Sequence, residues 1–274
     1  MCNMKKLFQW ALAAALICGA SVFTACSSND DNPVTPDLNL SENIIGKWIT
    51  AELNGQPAPT NKKTVFSFVS PTKAYHSASF NDKTEEENIW FEQEELDVVI
   101  SGNKVTLTSN PNENKTVVRE MNFTSINDNE FTANRKVTAT VNGNEVFFIE
   151  EDIRYTKVTT DYRDAIVGTW QGRCTSEGSV FDDGQEHRWQ YNADGTYVYY
   201  AKDGDNWVPY EGNTLNEYFV DGTLLCTRWI DNGQENREWW EITIDGSQMH
   251  WTALRQNPDG TTFTATFEME KVSQ

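Results

Sequence analysis

Three histidines, His76, His187 and His250, lie far apart along the 274-residue chain. None has a second His or Cys at metal-ligand spacing, so the sequence predicts no metal centre. Carboxylates are dense at Glu85-Glu86-Glu87 and Glu94-Glu95. A catalytic pair must hold its members across a scissile bond, whereas adjacent strand residues point to opposite faces. These glutamates therefore read as solvated loop and edge charge, and His76 as an ordinary strand residue. Asp203-Gly204-Asp205-Asn206 offers too few oxygens for a calcium loop. No Ser-His-Asp arrangement and no phosphate loop is present. The expectation is a non-catalytic protein without metal or cofactor.

Aromatic residues suggest binding instead. Seven tryptophans crowd the second half, at positions 170, 189, 207, 229, 239, 240 and 251. Strand parity sorts several of them, because alternate residues share a face. Trp240, Ile242 and Ile244 share one face against Trp239, Glu241 and Thr243. Met249, Trp251 and Ala253 share another, as do Phe263, Ala265, Phe267 and Met269. The candidate walls of an apolar cavity are Trp189, Tyr199, Trp229, Trp240 and Trp251. The alternative is that these rings simply fill the interior.

The positioning elements follow from a period of two, seen in Val65-Phe66-Ser67-Phe68 and Val137-Thr138-Ala139-Thr140-Val141. In the first half, breaks at Asn54-Gly55, Ser70-Pro71, Asn81-Asp82, Gly102-Asn103, Asn110-Pro111-Asn112, Asn127-Asp128 and Asn142-Gly143 leave eight strands. They run over 45–53, 63–69, 73–80, 88–101, 104–109, 115–125, 130–141 and 145–158. In the second half, Asp183-Gly184, Asp194-Gly195, Asp203-Gly204, Asp221-Gly222, Asn232-Gly233, Asp245-Gly246 and Asp259-Gly260 are hairpin signals. They again leave eight strands, over 167–175, 186–192, 196–202, 206–220, 223–231, 235–244, 247–256 and 261–272. Glu211-Gly212-Asn213 marks a bulge or break in the long fourth strand. Cys174 and Cys226 then fall on the first and fifth strands, across the sheet from one another, which argues against a disulfide.

The two halves also open and close alike. Ile44-Ile45-Gly46-Lys47-Trp48 matches Ile166-Val167-Gly168-Thr169-Trp170, and Lys157-Val158 matches Lys271-Val272. The predicted fold is all-β, two consecutive eight-stranded up-and-down antiparallel barrels, since closure removes both sheet edges. A Gly-variable-Trp on the first strand of such a meander resembles the lipocalin-like (calycin) domains of bacterial lipoproteins, over 42–158 and again over 163–274; the two barrels are expected at 42–158 and 166–274, with a short connector at 159–165. In that family a basic side chain near the end of the last strand packs over the Trp. The resemblance thus implies barrel bases built from Gly46, Trp48 and Lys157 and from Gly168, Trp170 and Lys271, with Lys where the family normally has Arg. It further implies binding of a small, mostly apolar ligand inside a barrel, without chemistry.

The leader gives an address. Lys5-Lys6 precedes an apolar run from Leu7 to Val22, and Phe23-Thr24-Ala25-Cys26 resembles the bacterial lipobox. Residues 1–25 are expected to be a signal peptide, Cys26 the lipidated first mature residue, and 26–41 a tether. Ser27 after the Cys resembles lipoproteins sent to an outer membrane. Asp30-Asp31 resembles the surface-export signal of Bacteroidota lipoproteins; alternatively the pair begins a solvated linker. With 22 basic and 41 acidic residues, the net charge of −19 excludes attraction to nucleic acid or to an anionic bilayer. The membrane is then met through the lipid anchor only. The leading expectation is an envelope protein that binds an apolar or carbohydrate ligand. The alternative is a surface-exposed accessory lipoprotein with solid barrels, contacting a glycan or a protein partner through exposed aromatics such as Trp239. The address has a direct test: Cys26→Ser should release the protein from membranes or stall it as a precursor, and unchanged fractionation of that variant would refute lipidation.

Overall fold

The computed structural model describes residues 37–81, 88–176, 184–257 and 259–273. The leader, Cys26, the tether up to Pro36, Asp82, Glu85-Glu86-Glu87 and Asp183 lie outside the described residues.

Strand propensity and turn chemistry produce a nearly all-β chain. The first unit comprises β1 (Gly46–Leu53), β2 (Gln56–Pro57), β3 (Thr64–Ser70), β4 (Lys73–Asn81), β5 (Asn88–Ser101), β6 (Lys104–Asn112), β7 (Lys115–Ile126), β8 (Glu130–Val141) and β9 (Asn144–Val158). β3 to β9 pair in sequence order, β3 pairs with β1, and β1 also pairs with β9, which closes an eight-stranded antiparallel barrel. The two-residue β2 is an extra hairpin arm on β1. A short helix, α1 (Leu40–Asn43), falls where tether was expected at its C-terminal end. Leu40 and the following Ile44 are buried against the core that contains Trp48 and plug one end of the barrel.

The second unit comprises β10 (Gly168–Cys174), β11 (His187–Tyr191), β12 (Tyr197–Asp203), β13 (Asn206–Pro209), β14 (Asn213–Asp221), β15 (Leu224–Asp231), β16 (Gln234–Asp245), β17 (Gln248–Gln256) and β18 (Thr262–Val272). First and last strands again pair, β10 with β18. The expected fourth strand, 206–220, is broken at residues 210–212 into β13 and β14. These two are the outer strands of the sheet and do not pair with each other. At one end the seam is held by the bridge between Thr196 and Glu217 and by Tyr218, whose N–H donates to the Gly195 carbonyl at 2.8 Å and whose hydroxyl donates to the Asn192 carbonyl at 2.7 Å. The first unit is thus a closed barrel and the second a curled half-barrel, an architecture compatible with calycin-like folds.

The base of each unit explains its Gly-variable-Trp. Trp48 pairs across the closing ladder with Lys157, and Trp170 with Lys271. Each Lys ammonium lies 5.1 Å from the centroid of its Trp ring. The indole N–H groups donate to the carbonyls of Ile44 and Ile166 at 2.7 and 2.6 Å, so neither buried donor is orphaned. The glycines leave room for the crossing lysine. A Cβ at Gly46 would stand 2.9 Å from Lys157 Cε, and one at Gly168 2.6 Å from Lys271 Cε. Both glycines also have φ near +135°, at +135° and +134°, where side chains are strained.

The units share a third core. Ile49 and Val65 of the first pack on Phe219, Leu224 and Cys226 of the second. Around it, the Trp239 indole donates to the Ser79 carbonyl at 2.8 Å, and Arg237 donates to the Phe80 and Ile89 carbonyls and to Asn88. The hairpin turn at Asp221-Gly222 is pressed into the first barrel. Asp221, 1 % exposed, pairs with Lys47 and accepts from Ser77 at 2.6 Å. A Cβ on Gly222 would meet Val158 at 2.7 Å. Trp239, expected to be an exposed contact residue, is therefore a half-buried part of this interface. Cys226 lies in the interface core and Cys174 in the core of the second unit; both are free thiols. Burial pushes the Cys226 thiol well above its ordinary range, so it stays protonated.

Loss of a fully buried indole leaves a cavity under an uncovered lysine. Trp170→Ala should therefore lower unfolding stability by about 3–5 kcal/mol in denaturant melts. A loss below about 1 kcal/mol would contradict the role assigned to the ring.

Candidate functional site

The break at residues 210–212 opens a cleft of about 440 Å³ in the second unit. Apolar alternation supplies its walls. Trp189 comes from β11, Tyr199 from β12, Trp229 from β15, Trp240 from β16 and Trp251 from β17, and all five line the cleft. Four of the rings touch in series. Trp189 lies 5.4 Å from Tyr199 and 5.0 Å from Trp251, and Trp251 lies 5.4 Å from Trp240, centroid to centroid. Phe267, placed by parity on an apolar face, also lines the cleft, as do residues the sequence reading missed: His187, Tyr191, Tyr197, Tyr210 and the polar Asn213, Thr227, Asp231 and Glu238. Tyr210 stands beside the break itself, at the opening. Its ring occupies the space a side chain at 212 would need, with a Cβ there only 2.5 Å away. Gly212 in the Glu211-Gly212-Asn213 triplet is the trace of that contact in the sequence.

The polar lining is acidic. Among the described residues, no Lys or Arg lines the cleft. Burial pushes the Glu238 carboxyl above its ordinary range, although Arg255 pairs with it and pulls the other way. The Arg255 guanidinium also lies 4.7 Å over the Trp240 ring. Thus Trp240, 3 % exposed, is both a wall and a core residue. Trp229 is a half-buried wall. His187 Nδ1 and Tyr199 Oη are hydrogen-bonded at 3.0 Å. Tyr191 Oη and Trp251 Nε1 are buried and have no hydrogen-bond partner among the described residues. Burial, with Tyr197 and Tyr218 nearby, holds the Tyr191 hydroxyl well above its ordinary range, so it is neutral.

The first barrel is built differently inside. Above an aromatic base of Trp48, Phe66, Phe123 and Phe131 lies a layer of charge. His76 Nδ1 lies 3.4 Å from Glu94, which Arg119 also faces at 3.5 Å. Arg135 pairs with Glu151 and donates to Tyr155 Oη at 2.9 Å, and that hydroxyl meets Thr64 Oγ1 at 2.7 Å. The expectation that Glu94 is solvated edge charge is thus corrected: its side chain is only 10 % exposed. Glu95, on the opposite face, is exposed and pairs with Lys73 at 2.8 Å. His76 is a strand residue as expected, on β4, and it is fully enclosed. The missed signal was parity. Glu94 shares a face with Leu96 and Val98, Arg119 with Met121 and Phe123, and Glu151 with Ile153 and Tyr155, all of which are buried. Burial raises the Glu94 carboxyl, but His76, Arg119 and Ser109 outweigh it and hold it below its ordinary value. Burial depresses the Arg119 guanidinium to about 10.

No protein-family model matches the chain, and no curated protein matches it in sequence.

The enclosed histidine makes a pH prediction. Burial, helped by Arg119, lowers His76 to about 4 against 6.5 for the free side chain. Between those values the unfolded chain binds the proton and the folded chain does not, so stability rises with pH. Stability contributed by a neutral His76 is full above about pH 6.5 and is lost toward pH 4, roughly 3 kcal/mol in all. Glu94, with its lowered carboxyl, adds loss in the same direction at lower pH. Denaturant midpoints of wild type and His76→Gln between pH 7 and 4 should diverge accordingly. Parallel curves would show that His76 does not titrate in this window.

Proposed function

We propose that this chain is a non-catalytic binding protein of the cell envelope, held by a lipid on Cys26, whose second unit takes a small apolar or sugar-like ligand. The observation that carries this reading is the aromatic cleft of about 440 Å³ beside a first barrel packed with side chains. That volume falls in the usual range for small-molecule sites, as does the mixture of stacked rings and a few polar groups. The lipobox-like Phe23-Thr24-Ala25-Cys26 and the Bacteroidota-type acidic pair Asp30-Asp31 support a lipoprotein carried to the outer membrane and onward to its surface. Under this reading the first barrel is a scaffold. The alternative, an accessory protein with solid barrels, draws no support from Trp239, which is engaged between the units.

Because the units share a core, the test uses the full chain. Tryptophan fluorescence titrated with a fatty acid, a sterol and neutral oligosaccharides should change saturably for at least one class. Trp229→Ala, at a half-buried wall, should weaken that binding about tenfold with little change in melting temperature. Trp240→Ala is the poorer probe, since it also strips the ring under Arg255. No saturable signal in any class would leave the accessory reading in place.

A further inference from the structure

We infer that the guest of this cleft is a neutral polyhydroxylated ring, a saccharide rather than a fatty acid, a haem-like anion or a quaternary amine. The inference rests on reading the cleft as a binding site and specifies its chemistry. Three physical arguments narrow the class. First, an anionic headgroup finds no Lys or Arg among the lining residues; it would face Asp231 and Glu238 in a chain of net charge −19. Second, among the described residues, the one seat where a lining ring and a lining carboxylate are bridged, Trp240 with Glu238, already holds a cation. Arg255 already covers the Trp240 ring and already pairs with Glu238. Third, a hydrocarbon would cover Asp231, Glu238, Asn213 and Thr227 without replacing their water hydrogen bonds, a penalty for every polar group so covered.

A sugar ring reverses each of these terms. Its hydroxyls donate to carboxylates and accept from N–H and O–H groups, and its C–H faces lie flat on indole rings. Trp229 offers such a ring at a half-buried wall. Asp231, two residues further along β15, projects from the same face of the strand and supplies an acceptor beside it.

The test applies the full chain to an array of neutral mono-, di- and trisaccharides, followed by calorimetric titration of the best binder, with palmitate and choline as competitors for the class. Saturable sugar binding is expected, weakened about tenfold in both Asp231→Asn and Trp229→Ala at unchanged melting temperature. Asp231→Asn preserves shape and removes only the charged acceptor. Palmitate or choline binding more tightly than every sugar would overturn the saccharide assignment and leave the cleft as a binding site. Sugar binding untouched by both variants would place the sugar elsewhere and overturn it too. Silence from all three classes would remove the binding-site reading along with this one.

Discussion

Each unit depends on the pairing of its first strand with its last. A meander of hairpins has two raw edges, and only the return of the last strand to the first hides them. Here that return is locked by a lysine laid across a tryptophan, Lys157 on Trp48 and Lys271 on Trp170. The lock needs a glycine two residues before the ring, because the lysine stem passes where a side chain would be. One short pattern thus sets register, closes one side of the sheet and buries the largest side chain of each unit. What differs between the units is the other side. The first has an unbroken β5 and closes fully. The second has its equivalent strand cut at residues 210–212, and the two pieces separate.

The interiors follow from that difference. A closed barrel of eight strands is just wide enough for side chains to fill. The first does so, with rings below and compensated charge above. Burying Glu94, Arg119, Arg135 and Glu151 is tolerable because each faces an opposite charge. An opened barrel has more volume than its side chains occupy, and large rigid rings leave a cleft between them. The contrast between a salt-bridged interior and an aromatic one is therefore a contrast between a filled space and an unfilled one.

Much of this was legible in the chain. Period two and the Asn-Gly and Asp-Gly turns gave strand order, and parity placed Trp240 with Ile242 and Trp251 with Met249 and Ala253 on the core face. The match of Gly46-Lys47-Trp48 to Gly168-Thr169-Trp170 revealed the repeat. Two things were not legible, for different reasons. Glu94 was read as outward because a charge on a strand is usually solvated, yet Leu96 and Val98, at i + 2 and i + 4, are buried apolar residues of the same strand face. Alternation outweighs residue type when the two conflict. Trp239 failed differently. Parity correctly turned it away from its own core, but a sequence pattern holds no record of which outer face a second unit covers. Similarly, Asp221-Gly222 announced a hairpin and gave no sign that the hairpin docks into a neighbour.

That docking bears on the cleft. The strands whose inner faces line it, β15 and β16, are the ones whose outer faces meet the first barrel. On β15, Thr227 and Trp229 face the cleft while Cys226 packs in the shared core and Arg228 stacks 4.6 Å from Trp90. On β16, Glu238 and Trp240 face the cleft while Arg237 and Trp239 are hydrogen-bonded to β4 and β5. A wall pinned from behind loses little further freedom when a guest arrives, and less of the binding free energy is spent on ordering it. The opposite wall, β12 and β13 with Tyr210, carries the free edge of the seam. The cleft therefore lies between one wall backed by the first barrel and one that ends in an open edge.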